Sequence, residues 1–163
     1  MYYCAVGITK DISEPPEFVY YADYFFIDPD TSEEFEILNP EIDVAFLRIV
    51  ETITGSRLPT TFPFVLRFGS SGFLNINDKV YILGYPEFGG DTITVTEGII
   101  SGRVGEDLIK ISAKIDLGNS GGATINQNGE FVGIPTLVMK GEFEGLGYII
   151  GVDSIRNWLN QLK

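Results

Sequence analysis

The chain has 163 residues and carries 23 acidic against 11 basic side chains, which gives a formal net charge of −12. Such an acidic surface repels phosphate backbones and anionic lipid, so nucleic acid is not expected as a partner. No apolar run reaches the roughly 18 residues that a membrane-spanning helix needs, and the single cysteine, Cys4, excludes an intrachain disulfide.

Short runs of β-branched and aromatic residues between turn residues predict an all-β protein, either a barrel or a sandwich. In the N-terminal part, strands are expected near residues 2–8, 18–27 and 43–50. Residues 51–64 are interrupted by glycine and proline, which is typical of a connection between two barrels.

A second set of strands is expected after this connection, near residues 64–68, 79–84, 92–102, 107–113, 122–126, 130–138 and 146–151. Asn126-Gln127-Asn128-Gly129 predicts a hairpin between two of them, because asparagine and glycine accept positive φ. The second barrel is therefore expected to be complete.

One helix is predicted, over residues 152–162. Asp153 or Ser154 is expected to cap its N-terminus. Apolar side chains recur at helical spacing on one face, which indicates packing against a barrel: Ile155, Trp158, Leu159 and Leu162.

The heptapeptide Gly118-Asn119-Ser120-Gly121-Gly122-Ala123-Thr124 presents a serine framed by glycines. Acyl transfer by a serine needs a base that takes the hydroxyl proton and backbone N–H groups that hold the oxyanion. Glycines let the chain turn tightly, so the N–H groups of Gly118 and Ser120 can point at one spot. The same composition is ordinary for a hairpin turn, so the motif alone leaves both interpretations open.

Asp43 precedes the apolar run Val44–Ile49 and therefore lies at the entrance of a predicted strand. A carboxylate there can orient an imidazole, although an isolated aspartate at this position is also typical of a turn. Asp28, Asp30 and Glu33 lack the loop glycine and the final glutamate of a calcium-binding EF-hand, so no metal ion is expected.

Asp43-Val44-Ala45-Phe46-Leu47-Arg48 and Gly118-Asn119-Ser120-Gly121-Gly122 resemble the acid strand and the nucleophile loop of trypsin-like serine proteases of the bacterial HtrA/Deg type. Four further segments resemble that family in the same order: residues 78–86, 96–101, 129–134 and 145–150. Order and spacing agree along residues 41–158.

The resemblance implies an all-β fold of two six-stranded antiparallel β-barrels, the first truncated at its N-terminus, followed by a C-terminal α-helix. One protease domain is expected. Its parts are a partial N-terminal barrel (1–54), a connection (55–63), a C-terminal barrel with the nucleophile loop (64–151) and the helix (152–163).

The implied activity is that of a serine endopeptidase forming an acyl-enzyme at Ser120, with Asp43 orienting the base. The oxyanion hole is expected at Gly118, Asn119 and Ser120. A protein or peptide substrate is expected against Lys114, Ile115, Ile134, Pro135 and Thr136, although Pro135 lacks the N–H of the residue usual there. No cofactor is expected, and the family suggests a location outside the cytoplasm, in the periplasm or cell envelope.

The chain contains no histidine, the residue that the family uses as base upstream of the acid. Residues 2–8 resemble the strand that follows the histidine segment, so the chain is expected to begin just past it. Three hypotheses stay open. The chain is a truncated endopeptidase that is inactive alone, a peptide-binding pseudoprotease, or a fragment completed by a partner chain or a second copy.

Overall fold

A computed structural model describes residues 4–23, 25–27, 34–36, 38–39, 43–62, 67–87, 89–136 and 147–161 of the chain. The chain divides into two compact units, Met1–Pro63 and Phe64–Lys163. Within the described ranges, no helix has the length and apolar character that crossing a bilayer requires.

The described part of the N-terminal unit forms short antiparallel pairings. Its strands are β1 (Cys4–Ile8), β2 (Glu17–Asp23), β3 (Phe25–Ile27), β4 (Glu34–Glu36), β5 (Leu38–Asn39), β6 (Val44–Ala45) and β7 (Arg48–Thr52). β1, β2 and β7 form a three-stranded sheet in that order, whereas β3 pairs with β4 and β5 pairs with β6.

The strand expected over residues 43–50 is two strands, β6 and β7, with Phe46 and Leu47 between them. β6 pairs with β5 and β7 pairs with β2, so the chain changes its partner strand between them. Phe46 and Leu47 are 43% and 49% exposed. The apolar run that predicted one continuous strand therefore does not correspond to one continuous buried strand.

The C-terminal unit contains a closed barrel. Its elements are β8 (Arg67–Phe68), β9 (Lys79–Gly84), β10 (Thr94–Val104), β11 (Leu108–Ile111), β12 (Ala123–Asn126), β13 (Glu130–Thr136), β14 (Gly147–Gly151) and α1 (Val152–Gln161). Six strands follow one another in the antiparallel order β12-β9-β10-β11-β14-β13, and β12 pairs with β13 to close the ring. β8 adds a short parallel pairing to β13. The expected all-β class, six-stranded antiparallel barrel and C-terminal helix are confirmed.

Alternate residues of the strands fill the barrel. On β9, Val80 and Ile82 are 0% and 1% exposed, whereas Lys79, the first residue of the strand, is exposed and Tyr81 is half-buried. The other buried members of the core are Ile100, Ile109, Ile111, Ala113, Ile115, Val132 and Ile149. Burying one large aliphatic side chain contributes about 1.5–3 kcal/mol. The barrel is thus a well-packed support for the loops at its two ends.

Helix α1 begins at Val152, so Asp153 and Ser154 lie in its first turn, and their expected role as N-cap is wrong. The acceptor for the Asp153 N–H is instead Ser71 Oγ, at 3.1 Å and 82 residues away in sequence. The Asp153 carboxylate accepts hydrogen bonds from Ser70 Oγ and Gly72 N, both at 2.7 Å. These bonds tie the helix to the loop that follows β8.

Candidate active site

The nucleophile loop, residues 116–122, is the last part of the connection from β11 to β12 and lies at one end of the barrel. Asn119 N donates to Asp116 O at 3.0 Å, and Gly122 N donates to Asn119 O at 3.1 Å. Gly118 and Gly121 have φ values of +95° and +81°, a region in which residues with a side chain are strained. The two glycines therefore allow the tight turns on either side of Ser120, which is exposed.

The nucleophile loop lies directly against residues 83–87, the end of β9 and the turn after it, which we call the supporting segment. A Cβ atom on Gly118 would lie 2.2 Å from Tyr85 O, and one on Gly122 would lie 2.2 Å from Leu83 O. Contacts this short leave no room for a side chain at either position. Gly118 thus meets two requirements, a positive φ and a close backbone approach.

The supporting segment also contacts the loop through Asn119 and Leu117. A Cβ atom on Gly84 would lie 2.6 Å from Asn119 Oδ1, and Glu87 N donates to Leu117 O at 2.8 Å. Of these positions, Asn119 was expected at the oxyanion hole, whereas Gly84, Glu87 and Leu117 were not expected at the site. The available signal was Gly84 followed closely by Pro86, since a glycine at a strand end often marks a close backbone approach.

The three residues expected at the oxyanion hole differ in exposure. Gly118 and Ser120 are exposed, whereas Asn119 between them is 2% exposed. The Asn119 N–H is engaged by Asp116 O. Gly118 and Ser120, whose N–H groups are expected to hold the oxyanion, therefore lie on the surface of the loop, whereas Asn119 between them is buried.

Strand β13 approaches the nucleophile loop from the other side. Gly121 N donates to Pro135 O at 3.0 Å. Pro135 is buried, Ile134 and Thr136 are half-buried, and all three pair with β14. The structure thus brings this group of substrate-binding candidates next to Ser120.

The other two substrate-binding candidates, Lys114 and Ile115, have different surroundings. The Lys114 side chain is 77% exposed, and its Nζ lies 3.0 Å from Asp116 Oδ2. Its carbonyl accepts a hydrogen bond from Thr96 Oγ1 at 3.1 Å. Ile115 is 9% exposed and belongs to the barrel core. Lys114 therefore lies on the surface beside the loop, whereas Ile115 supports the chain from inside the barrel.

Asp43 lies in the N-terminal unit, immediately before β6. It is exposed and has a φ of +56°, a conformation that aspartate tolerates better than most residues with a side chain. Val44, the next residue, is 5% exposed. The buried Val44 fixes the start of β6, and Asp43 lies on the surface immediately before that strand.

Within the described part of the chain, no three histidine, cysteine, aspartate or glutamate side chains are grouped so as to hold a metal ion. Asp28, Asp30 and Glu33 lie outside the described residues. The exposed Ser120 has backbone amides of its own loop beside it, and one of them, Gly121 N, donates to β13.

Comparison with known proteins gives a consistent picture. A family model described as a trypsin-like peptidase domain matches residues 9–134. A probable periplasmic serine endoprotease DegP-like of Pseudomonas putida (strain W619) is 36% identical over 135 residues, 77% of this chain and 26% of that protein. Periplasmic serine endoprotease DegP of Escherichia coli (strain K12) is 36% identical over 107 residues, 60% of this chain and 22% of that protein.

A chloroplastic protein of Arabidopsis thaliana, Protease Do-like 2, is 38% identical over 98 residues, 54% of this chain and 16% of that protein. The chain thus spans about a quarter or less of the length of these relatives.

Proposed function

The chain belongs to the trypsin-like peptidase family, and from that membership we propose that its reaction is peptide-bond hydrolysis through an acyl-enzyme on Ser120. One observation carries the proposal, the exposed serine between two positive-φ glycines at the end of a closed barrel. An acyl-transfer nucleophile needs such an accessible hydroxyl with backbone N–H groups beside it. In this proposal the 163 residues form one protease domain, with the nucleophile in residues 64–151 and the acid in residues 1–54.

Ser120 Oγ attacks the carbonyl carbon of the scissile peptide bond while a base accepts its proton. Negative charge then develops on the carbonyl oxygen, and the N–H groups of Gly118 and Ser120 donate to it. Removing one oxyanion donor in proteases of this chemistry costs about 10²–10³ in rate. The Asn119 N–H takes no part in this role, because Asp116 O already accepts it. Asn119 instead holds the loop in place.

The proton of Ser120 needs an acceptor, and the chain has no histidine. We propose that a histidine outside these 163 residues serves as base, with Asp43 orienting it and stabilising its cationic form. The 163-residue chain is therefore inactive alone. In support of the proposal, the matched region makes up 26% and 22% of the length of two bacterial relatives.

The substrate is a protein or peptide segment that lies along β13. In this proposal the substrate pairs with the region Ile134-Pro135-Thr136, where Pro135 provides no N–H and its carbonyl already accepts from Gly121. Lys114, beside the loop, borders the pocket for the side chain at the cleavage position, and Ile115 forms the apolar support beneath it. With Lys114 paired to Asp116, apolar or small side chains are expected there.

We place the reaction outside the cytoplasm, in the periplasm or cell envelope. The support is that bacterial relatives are described as periplasmic serine endoproteases. No cofactor is required for serine acyl transfer.

Labelling with a fluorophosphonate probe, with and without added imidazole, tests the proposal. Without imidazole the chain is expected to label no more than its Ser120→Ala variant. With imidazole, labelling at Ser120 is expected to rise at least about tenfold, because a positioned base contributes about 10²–10⁴ and a dissolved one recovers part of it. Ser101→Ala, which removes another exposed serine of the same unit, is the matched control and should label like the unmodified chain.

A second candidate function is peptide binding without hydrolysis, by this chain alone or after a partner chain completes it. The lack of histidine favours it. If imidazole produces no labelling while a peptide still binds with equal affinity to the chain and to Ser120→Ala, the acyl-enzyme proposal is wrong and this candidate stands. Strong labelling without imidazole would instead show that the chain needs no histidine.

A further inference from the structure

A cavity of about 350 Å³ lies at the end of the barrel away from the nucleophile loop. Residues from the start of β9 and from the β12–β13 turn line it, among them Lys79 and Asn126. β9 runs from Lys79 at the cavity to Gly84 at the nucleophile loop. A six-residue strand is roughly 17–20 Å long, so the cavity is separate from the proposed active site.

Two carboxylates line the cavity, and each is held in place by one of its oxygens. Asn75 N donates to Asp78 Oδ2 at 2.7 Å, and Asn126 Nδ2 donates to Glu130 Oε2 at 2.7 Å. A carboxylate can accept further hydrogen bonds through its second oxygen. Both groups are therefore oriented before any ligand arrives.

Lys79 is the only basic residue among the described residues that line the cavity, and its charge is balanced by Glu97. The distance between Lys79 Nζ and Glu97 Oε1 is 2.9 Å. The hydrogen bond to Glu97 and the charge of that carboxylate raise the pKa of the lysine. Lys79 therefore stays charged and is paired with Glu97, which leaves Asp78 and Glu130 as the other charged groups among the described lining residues.

Phe73 adds an aromatic surface to the cavity and is 85% exposed. The face of an aromatic ring attracts cations, and arginine uses this interaction more often than lysine. An exposed ring beside two oriented carboxylates suits a side chain with an alkyl stem and a cationic end.

We propose that this cavity binds an arginine or lysine side chain of a peptide segment, with its charged group between Asp78 and Glu130 and its stem against Phe73. Charge complementarity selects the occupant, because the whole chain carries a net charge of −12 and attracts basic segments. The volume is in the lower part of the range of binding pockets. This site adds to the proposed hydrolysis and does not depend on it.

The test is an NMR titration of the 163-residue chain with two capped peptides, acetyl-Gly-Arg-Gly-amide and the same peptide with neutral citrulline in place of arginine. The arginine peptide is expected to bind at least about fivefold more tightly, which corresponds to ~1 kcal/mol. Its chemical-shift changes are expected at Phe73 and residues 126–130. Equal affinity for the two peptides would overturn the proposal, as would shift changes confined to residues 118–122.

Variants sharpen the result. Asp78→Asn and Glu130→Gln each retain a carbonyl oxygen that can accept the existing hydrogen bond, so they remove charge with little change of shape. Each variant is expected to bind the arginine peptide about fivefold more weakly and to bind the citrulline peptide with unchanged affinity. Glu106→Gln, an exposed residue in the β10–β11 turn, is the matched control and should bind like the unmodified chain. Unchanged arginine affinity in both cavity variants would contradict the proposal even if the two peptides differ.

Discussion

The two units of the chain differ in how their strands are completed. In the C-terminal unit six strands close on themselves, while in the described part of the N-terminal unit β1 and β7 are the edges of a three-stranded sheet. Among the residues whose burial the structure describes, the buried apolar ones are Ala22 and Val44 in the N-terminal unit and twelve others in the C-terminal unit. The proposed nucleophile therefore stands on a closed barrel, and the proposed acid stands in a unit whose described three-stranded sheet is open at both edges.

The largest difference between the two units is expected in the free energy of unfolding that is lost when an apolar side chain is shortened to alanine. Ile109→Ala in the barrel, where Ile109 is 0% exposed, is expected to lower the free energy of unfolding by about 2–5 kcal/mol. Ile49→Ala on β7, where the side chain is only half-buried, is expected to cost less than about 2 kcal/mol. Urea unfolding followed by circular dichroism measures both. Equal losses would show that the two units do not differ in packing at these positions.

The next largest effect concerns whether tight packing extends to the loops of the barrel. Gly122→Ala is expected to cost about 2–3 kcal/mol, because its Cβ would lie 2.2 Å from Leu83 O. Gly105→Ala is the control, with a φ of +62° but open space around the added methyl, and should cost about 1 kcal/mol. Thermal unfolding of both variants checks the order. A smaller loss for Gly122→Ala would mean that the loop yields easily.

The smallest effect depends on pH and concerns the link between α1 and the loop after β8. Burial of the Asp153 carboxyl raises its pKa, but hydrogen bonds from Ser70, Gly72 and Ser71 and the charge of Arg156 outweigh burial, so the pKa is lowered from 3.8. Because the pKa of Asp153 is lower in the folded state than in the unfolded state, its carboxylate stabilises the fold at pH values above the unfolded-state pKa. This stabilisation is lost as the pH falls through the folded-state pKa.

Asp153→Asn is therefore expected to lower the free energy of unfolding by ~1 kcal/mol at neutral pH. The difference from the unmodified chain should shrink once the pH is well below 3.8, the ordinary value for this group. Denaturation curves at several pH values measure it, with exposed Asp91→Asn as the control. A difference that stays constant with pH would show that the carboxylate charge is unimportant to the link.

Local patterns predicted much of the barrel. β9 was expected over residues 79–84 and is found there, because its residues alternate between core and surface. The hairpin after Asn126 was signalled by Gly129, whose φ is +73°. Long-range contacts were not predictable in this way. The partner change between β6 and β7 and the Ser71 acceptor for α1 depend on residues distant in sequence.

The candidate site shows the same limit. Ser120 and its glycines were recognisable because turn geometry and nucleophile exposure impose local residue choices. The supporting segment was not recognisable in this way. The carbonyl of Tyr85 lies where a Cβ atom on Gly118 would be, and the sequence does not reveal such a contact between distant residues. The buried position of Asn119 between two exposed neighbours also arises from this contact surface.

Gly84, Gly118 and Gly122 have a consequence for how such chains are recognised. The space beside each of them is taken by another part of the backbone or by Asn119, whatever Ser120 does. A descendant of this barrel that had lost its activity would still lose stability if it replaced these glycines. The glycine pattern therefore indicates the barrel fold and not the activity. A sequence search that relies on it will find inactive members of the family as readily as active ones.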